Sequence, residues 1–149
     1  MQIIICMKWG NRYSSDFVNR LYRSVIRHTN KKTKFICFTD DTRNIIKEVV
    51  CKPLPNITMP ELIKMTPWRK LSIWQYPLSP LKGDVLFLDL DLVITGNLDR
   101  FFEFNPGEFC VIENWTQKGL NIGNTSCFRF PVGKYKIVFD TFQNQPEKI

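Results

Sequence analysis

Apolar residues occur along the chain in two patterns, short runs and longer stretches with helical spacing. The runs are mostly uninterrupted, are four to six residues long, and cover positions 2–7, 35–38, 85–88, 109–112 and 127–130. Apolar runs of this length are typical of strands whose two faces are both covered. The pattern therefore predicts a strand at each of these positions.

Helical spacing predicts a helix after the first run. Apolar residues at positions 18–26 recur at intervals of three and four, which is the spacing of one helix face. Residues 14–16, Ser-Ser-Asp, supply capping groups in front of them. A helix is therefore expected to run from this segment to about Thr29.

A second helix is predicted before the third apolar run. It begins near Pro67, a favoured residue of the first helical turn, and ends before Pro77. Trp68, Leu71 and Trp74 fall on its packing side, so both tryptophans are candidates for the core.

The remaining segments carry weaker patterns. A short helical turn is expected at residues 98–102 and a closing helix at residues 132–142. Residues 45–51 fit a short helix or a strand, and the prolines within residues 53–60 indicate looping backbone. Strands that alternate with helices predict an α/β fold with a mainly parallel central sheet flanked by helices, formed by a single domain over residues 1–149.

Composition and charge narrow the classes of protein that fit. With 149 residues, of which 44% are hydrophobic and 23% charged, the chain resembles one globular domain and not a disordered or fibrous protein. Its net charge of +7 favours anionic partners such as nucleotides and phosphates. Lys31, Lys32 and Lys34 have no interleaved aromatic stacking platform, so no nucleic-acid partner is predicted.

The five cysteines indicate a reducing compartment. They are odd in number, lie far apart and lack the spacing of a zinc site or a redox motif, so we interpret them as reduced core residues. No stretch approaches the roughly 20 apolar residues of a membrane span, and the apolar start lacks the basic residues of a signal peptide. A cytoplasmic protein is expected, and peripheral contact with a membrane stays open.

Two carboxylates follow the third apolar run. Asp89 and Asp91 are spaced i, i+2, so an extended backbone projects both to one side, with their oxygens within reach of one hard cation. Leu88, Leu90 and Leu92 surround them, and half-burying two carboxylates without a cation would be costly. The pair is therefore predicted to bind Mg²⁺ or Mn²⁺, although capping of a turn is the alternative.

Polar residues also follow the first two predicted strands. Lys8 and Trp9 come after the first, and Thr39, Asp40 and Asp41 after the second. Ligands of open α/β sheets bind beyond the carboxyl ends of the strands, so these residues are expected to share a cleft with the aspartate pair. Trp9 offers a stacking face and Asp40 an acceptor for a base or a ribose. Packing of Trp9 under the helix and capping of a turn by Asp40 are equally good explanations.

One segment resembles a known family. Residues 85–98 read VLFLDLDLVITGNL, which is similar to the Asp-x-Asp segment of GT-A-fold, nucleotide-sugar-dependent glycosyltransferases. The order of the preceding elements is similar to the nucleotide-binding half of that fold, so the resemblance covers nearly the whole chain. It implies a GT-A-like, Rossmann-like fold and transfer of a sugar, of the hexosyl type, from a nucleoside-diphosphate sugar to a glycan or lipid-linked acceptor.

The resemblance implies roles for the residues near the aspartate pair. Asp89 and Asp91 match the two carboxylates that bind the metal ion bridging the donor's phosphates. Lys70, on the helix before them, matches a basic residue that contacts the diphosphate, although its neighbour Arg69 competes for this role. These matches imply Mn²⁺ or Mg²⁺ as the cofactor.

The resemblance also implies contacts to the rest of the donor. The base and the ribose would be held by the residues after the first two strands, which are Lys8, Trp9, Thr39 and Asp40. The donor sugar would be contacted by Asn121 and Asn124, since an amide can donate to and accept from sugar hydroxyls. A structural role in the backbone of a turn near Gly123 is an alternative explanation for both asparagines. No catalytic base is predicted.

The chain departs from the family in two ways. Its only histidine is His28, on the first predicted helix, so the late histidine that serves related enzymes as a third metal ligand is not expected. The sequence ends at residues 145–149, about where the acceptor-binding half of the family would begin. Weakened donor binding, slow donor hydrolysis and very slow sugar transfer are therefore expected.

Two alternative functions stay open. A phosphatase of the haloacid-dehalogenase type would use Asp89 as its nucleophile, but its Asp-x-Asp motif usually opens the chain, and Leu92 and Val93 replace the small residues expected next. A degenerate glycosyltransferase half that binds a nucleotide sugar without transferring it is the second alternative. Hydrolysis of phosphate monoesters would indicate the phosphatase, and binding without turnover the degenerate module.

Overall fold

A computed structural model of the chain describes residues 1–78 and 81–145. Within this part, six strands form one sheet. In chain order they are β1 (Gln2–Lys8), β2 (Thr33–Thr39), β3 (Val50–Lys52), β4 (Asp84–Leu88), β5 (Cys110–Glu113) and β6 (Gly123–Pro131). Each strand predicted from the sequence is present, and the ambiguous segment 45–51 leads into β3. Residues 146–149, part of the segment where an acceptor-binding half was expected to begin, lie outside the described residues.

The sheet is mainly parallel. Its strand order is β3-β2-β1-β4-β6-β5, in which β1 pairs in parallel with β2 and β4, and β2 with β3. Strand β6 runs antiparallel to both of its neighbours, β4 and β5. This confirms the predicted α/β fold, and it places the carboxyl ends of β1, β2 and β4 at one edge of the sheet.

Helical segments connect the strands. The described residues form the α-helices α1 (Ser15–Arg27), α2 (Asp99–Glu103) and α3 (Lys136–Asn144), and the 3-10 helices Glu61–Ile63 and Pro67–Trp74. Helices α1 and α2 lie close to their predicted positions. The closing helix begins later than the predicted residue 132, because β6 continues to Pro131 and the chain then turns through Gly133, whose φ is 88°.

The helix predicted after Pro67 is a 3-10 helix that ends at Trp74, earlier than expected. A 3-10 helix has three residues per turn, so side chains three positions apart lie above one another. Trp68, Leu71 and Trp74 have this spacing and share a face. A second face carries Pro67, Lys70 and Ile73.

Apolar side chains cover both faces of the sheet. The β1 residues Ile4 and Cys6 pack against buried side chains of α1, whereas Ile5 and Met7 pack on the opposite face with Ile73 of the 3-10 helix. This division follows from the alternation of side chains along a strand. Burial on both faces explains why the strands appear in the sequence as uninterrupted apolar runs.

The two tryptophans of the 3-10 helix differ in environment. Trp74 stacks on Phe128 with ring centroids 5.6 Å apart and packs against the core on that face of the sheet. Trp68 is 41% exposed and lies nearly parallel to the ring of Phe142 in α3. The prediction of a core position was therefore right for Trp74 and wrong for Trp68, whose indole packs on Phe142 of α3 and stays partly exposed.

The thiols fit the reduced state predicted from the sequence. All five cysteines are free, but the predicted core position holds fully only for Cys6 and Cys37, whereas Cys51, Cys110 and Cys127 are partly buried. Burial raises the pKa of the Cys6 thiol well above its ordinary value, which keeps this group protonated and unreactive. In the described part of the chain, no helix has the length and apolar character needed to cross a bilayer.

One buried arginine of β6 forms hydrogen bonds with the segment that runs from α2 to β5. Arg129 is fully buried, and its guanidinium donates at 2.5–2.9 Å to the backbone carbonyls of Phe101, Phe104, Asn105 and Glu108. The carboxylate of Asp84 lies 3.8 Å away and balances its charge. The planar fork of guanidinium donors suits several carbonyls arranged around it, so this otherwise exposed segment follows a defined path.

Candidate functional site

A cleft of about 200 Å³ lies where the carboxyl ends of β1 and β4 meet the 3-10 helix Pro67–Trp74. Four of the predicted site residues line it: Trp9, Lys70, Asp89 and Asp91. Trp9 follows β1, the two aspartates follow β4, and Lys70 projects from the 3-10 helix. The structure therefore brings together side chains from three separate segments, as expected for parallel strands that end at the same edge.

Asp89 is a half-buried carboxylate held by Lys70. The Lys70 Nζ atom lies 2.7 Å from the carboxylate, and the two side chains are 18% and 21% exposed. Removal from water raises the pKa of Asp89 above its ordinary value, although the Lys70 ammonium and the hydroxyl of Ser126 act in the opposite direction. Lys70 and Ser126 therefore do not fully offset the loss of solvation at this carboxylate, and an additional positive charge would stabilise its ionised form.

Asp91 is more exposed and is held by a residue that sequence reasoning missed. Tyr13 Oη donates a hydrogen bond of 2.8 Å to Asp91 Oδ2, and this bond raises the pKa of the phenol. The Tyr13 ring packs edge-on against Phe17 of α1, and the guanidinium of Arg12 lies 5.5 Å from its centroid. The contact fixes Asp91 relative to the loop between β1 and α1.

Ser126 is a second residue that sequence reasoning missed. Its carbonyl accepts a 2.8 Å hydrogen bond from the backbone N–H of Asp89, and its hydroxyl lies beside the Asp89 carboxylate and lowers the pKa of that group. Asn124 Oδ1 in turn accepts from the Ser126 N–H at 3.0 Å. The predicted sugar-contacting residue Asn124 is therefore tied to the backbone that positions Asp89.

The donor set of the aspartate pair fits a hard divalent cation. Asp89 and Asp91 present carboxylate oxygens, which Mg²⁺ and Mn²⁺ prefer over nitrogen and sulfur. No group of three or more Asp, Glu, His or Cys side chains that could hold a metal occurs in residues 1–78 and 81–145. His28 lies at the carboxyl end of α1, where its Nδ1 is 2.8 Å from the Ser24 carbonyl oxygen, and it does not line the cleft.

Three other predicted residues lie beside the cleft and not in it. Lys8 is buried at the end of β1 and borders a separate depression with the first residues of α1. Asp40 Oδ2 accepts a 3.0 Å hydrogen bond from the Gly10 N–H, and the Thr39 hydroxyl donates to the Asp41 carbonyl. Through these hydrogen bonds, Asp40 and Thr39 stabilise the loops that follow β1 and β2.

Asn121 also lies outside the cleft, in an exposed turn between β5 and β6. Its φ is 55°, in the left-handed region that asparagine tolerates better than most residues. The turn requirement accounts for an asparagine at this position. A contact with a donor sugar stays a prediction for Asn121 and for Asn124.

The fold is that of solved glycosyltransferases. The galactosyltransferase LgtC, crystallised with donor and acceptor sugar analogues, matches with a TM-score of 0.70 and 12% identity over 99% of this chain and 64% of LgtC. Two structures of the glycosyltransferase GlyE from Streptococcus pneumoniae TIGR4 match at 16% identity over 99% of this chain. Their TM-scores are 0.62 and 0.64, over 40% and 39% of GlyE.

These likenesses define a GT-A-like glycosyltransferase fold, as the resemblance of the Asp-x-Asp segment implied. They do not favour the phosphatase alternative. The chain spans 64% of the length of LgtC and about 40% of the length of GlyE. No protein-family model and no curated protein sequence matches the chain.

Proposed function

We propose that the chain is a metal-dependent glycosyltransferase domain that transfers a hexosyl group from a nucleoside-diphosphate sugar to a glycan acceptor. One observation carries the proposal: Asp89 and Asp91 follow β4 into a cleft that also contains Lys70 and Trp9. The likeness to LgtC and GlyE supports it at the level of the fold. The donor, the cation and the acceptor all belong to the proposal.

Asp89 and Asp91 would bind the cation, Mn²⁺ or Mg²⁺. Ions of this kind commonly bind through one or two carboxylates together with substrate phosphates and water, so two protein ligands suffice. The bound ion would supply Lewis-acid stabilisation of the departing diphosphate. Tyr13 would keep the Asp91 carboxylate oriented by its hydrogen bond.

Lys70 would exchange its carboxylate partner for the donor's diphosphate. Its ammonium now lies 2.7 Å from Asp89, and a diphosphate in the cleft offers it anionic oxygens of higher charge. A lysine suits this exchange because it is a compact charge on a flexible stem. The exchange would free Asp89 for the cation and compensate the phosphate charge at the same time.

The nucleoside of the donor would extend toward Trp9 and the first residues of α1. Trp9 lines the cleft and offers an aromatic face on which a base can stack. Lys8 borders the adjoining depression of about 270 Å³, and Tyr13 lines both spaces. Thr39 and Asp40 would act by holding the two loops that shape this region.

The test is a thermal-shift screen of nucleoside diphosphates and nucleotide sugars, with and without Mn²⁺. A ligand that binds only the folded state at about a hundredfold above its Kd should raise the melting temperature by about 5–10 °C in a domain of this size. Asp91→Asn removes one charge at nearly constant volume and should abolish the Mn²⁺-dependent part of the shift. Asp140→Asn is the matched control, since Asp140 pairs with Lys136 on α3, away from the cleft.

The outcomes separate the three functions. A Mn²⁺-dependent shift that Asp91→Asn removes and Asp140→Asn retains, with sugar transferred to a saccharide, supports the proposal. An equal shift in the wild type and in Asp91→Asn contradicts the assignment of the metal site. Binding without any turnover indicates the degenerate module, and release of phosphate from monoesters indicates the phosphatase.

A further inference from the structure

A second groove runs along one face of the 3-10 helix Pro67–Trp74. Its volume is about 440 Å³, which lies in the size range of small-molecule sites. The helix contributes Trp68, Leu71 and Trp74, the three residues that its three-residue period places on one face. Phe109, just before β5, and Phe128 in β6 complete the apolar lining.

The groove and the aspartate cleft are neighbours. Pro67 and Lys70 line both of them, so the two spaces share part of one wall. The Lys70 ammonium, at the boundary, lies 2.7 Å from the Asp89 carboxylate. A molecule in the groove would therefore lie next to the place where the donor's phosphates are proposed to bind.

The lining of the groove is aromatic more than aliphatic. Among its apolar side chains only Leu71 and Pro67 are aliphatic, and the others carry flat rings. Trp68 and Phe109 are 41% and 38% exposed, so ring surface is open to a ligand. Flat rings suit the carbon–hydrogen face of a pyranose, whereas an alkyl chain is better matched by flexible aliphatic side chains.

Trp74, one of the rings that line the groove, is rigidly held. Trp74 stacks on Phe128 with an interplanar angle of 7° and meets Phe109 edge-on at 5.6 Å. Trp68 is supported by Phe142, whose ring lies at 12° to the indole. Aromatic platforms of this kind bind with a small loss of side-chain entropy, because their two χ angles are already fixed.

Polar groups suited to sugar hydroxyls lie at the border of the groove. Thr66 and Thr125 line it together with Lys70, and the Thr125 residue is exposed. A hydroxyl can donate and accept, which matches the hydrogen-bonding capacity of a saccharide. An apolar floor with a few polar groups at its edge is the usual character of a small-ligand site.

We infer that this groove is the subsite for the acceptor saccharide, with a pyranose ring stacked on the exposed indole of Trp68 beside Lys70. The inference rests on the proposed function for its purpose, since a subsite adjacent to the donor's diphosphate is where an acceptor hydroxyl must be delivered. Binding of a saccharide to an aromatic platform does not itself depend on whether the chain transfers a sugar. The proposed occupant is a saccharide, and an alkyl chain is the alternative that the octyl hexosides test.

The experiment measures saccharide binding by the full chain, using saturation-transfer NMR and tryptophan fluorescence. The probes are methyl hexosides, hexose disaccharides and octyl hexosides, each with and without Mn²⁺ and a nucleoside diphosphate. Trp68→Ala removes the exposed platform, and Thr125→Gln places a longer neutral side chain in the groove. Trp115→Ala is the matched control, because Trp115 is 64% exposed and does not line the groove.

We expect methyl hexosides or disaccharides to bind the wild type and the Trp115→Ala variant alike. Binding should weaken about tenfold in Trp68→Ala and in Thr125→Gln, the order of effect expected when one stacked ring is lost from a small-ligand site. The Mn²⁺-dependent nucleotide shift should be unchanged in all three variants. Saccharide binding in a chain that shows no nucleotide shift would overturn the proposed function and leave the inferred saccharide subsite standing.

Three results would overturn the inference. The first is that no saccharide binds the wild type under any of these conditions. The second is that binding depends on the octyl chain, which would show that the groove takes an aliphatic ligand. The third is that saccharides bind equally to the wild type, Trp68→Ala and Thr125→Gln, which would place the site elsewhere.

Discussion

Lys70 and Asp89 form an ion pair at the position where a divalent cation is proposed to bind. The pair is only about one fifth exposed, so removal of one partner leaves the other poorly solvated. If the proposed cation binds here, the ammonium takes its place beside Asp89 in the unliganded protein. It follows that a change at Lys70 should affect binding of metal alone and binding of metal with nucleotide in opposite directions.

Lys70→Met should separate the two effects. Without the ammonium, Asp89 is a half-buried carboxylate with no cationic partner among its contacts, so Mn²⁺ alone should stabilise the variant more than the wild type. The nucleoside diphosphate should bind about 10–100-fold more weakly, because a hydrogen bond to a charged group contributes about 1.5–3 kcal/mol. Calorimetric titration with Mn²⁺ and then with nucleoside diphosphate measures both effects.

The control for this variant is Lys64→Met. Lys64 pairs with the exposed Glu61 and does not line the cleft, so both affinities should stay at the wild-type values. Weaker Mn²⁺ binding in Lys70→Met would show that Lys70 supports the metal site and does not compete with the ion.

Tyr13 and Ser126 show where residue-level prediction from sequence fails. The place of the aspartate pair in one cleft could be predicted because an apolar strand precedes it and clefts of α/β sheets lie beyond the carboxyl ends of the strands. The contact of Tyr13 with Asp91 joins positions 78 residues apart and depends on the path of one loop. An aromatic residue within the polar segment between β1 and α1 was the available signal, but nothing in its spacing indicates a carboxylate partner.

At the scale of elements, the loop between β1 and α1 holds both Trp9 and Tyr13 and is anchored at Gly10. Gly10 has a φ of 61° and donates its N–H to Asp40. A Cβ at this position would lie 2.5 Å from Met65 Cε, the flexible end of a side chain. The left-handed backbone therefore restricts this position more than the space around it does.

Gly10→Ala and Gly83→Ala together should separate the conformational cost from the steric cost. Gly83 has a φ of 70° and nothing within 4 Å of an added Cβ, so it isolates the conformational cost of about 1–2 kcal/mol. Both variants should lose this free energy of unfolding in urea denaturation, since Met65 can move aside. A loss at Gly10 that exceeds the loss at Gly83 by more than about 1 kcal/mol would show that the contact with Met65 is rigid.

The strands could be predicted from the sequence and the 3-10 helix could not. Uninterrupted apolar runs identify strands such as β1 and β4 because both of their faces are buried. Trp68, Leu71 and Trp74 were compatible with an α-helix, and only their uniform spacing of three indicated the tighter helix. The start of α3 was predicted at residue 132 but lies at Lys136. The turn at Gly133 carries no apolar pattern that would mark the boundary.

At the scale of the whole molecule, Arg129 joins the antiparallel edge of the sheet to α2 and the segment that follows it. Its guanidinium is fully buried and bonds to four backbone carbonyls. The sequence shows only an arginine within an apolar run, which does not distinguish a buried guanidinium from an edge residue. The long-range partners become evident only when the fold is known.

The whole-molecule prediction is that Arg129→Lys strongly destabilises the protein. An ammonium cannot reproduce the planar fork, so buried carbonyls would lose their partners, at a cost of about 3–5 kcal/mol in the free energy of unfolding. Urea denaturation followed by circular dichroism measures the loss. Arg100→Lys, at an exposed position of α2, should stay within about 0.5 kcal/mol of the wild type; equal stability of the two variants would contradict the structural role of Arg129.

The three-residue period of the helix Pro67–Trp74 has a consequence for how such a domain can diversify. Positions 68, 71 and 74 line the groove, whereas position 70 carries the ammonium that meets Asp89. Substitutions at positions 68, 71 and 74 can therefore remodel the groove and leave the lining of the aspartate cleft intact, whereas Pro67 and Lys70 line both spaces. A deletion of one residue between Pro67 and Lys70, in contrast, would rotate the residues that follow it by about 120° relative to Pro67. Leu71 would then take the position of Lys70, so this segment should tolerate replacement far better than a change in length.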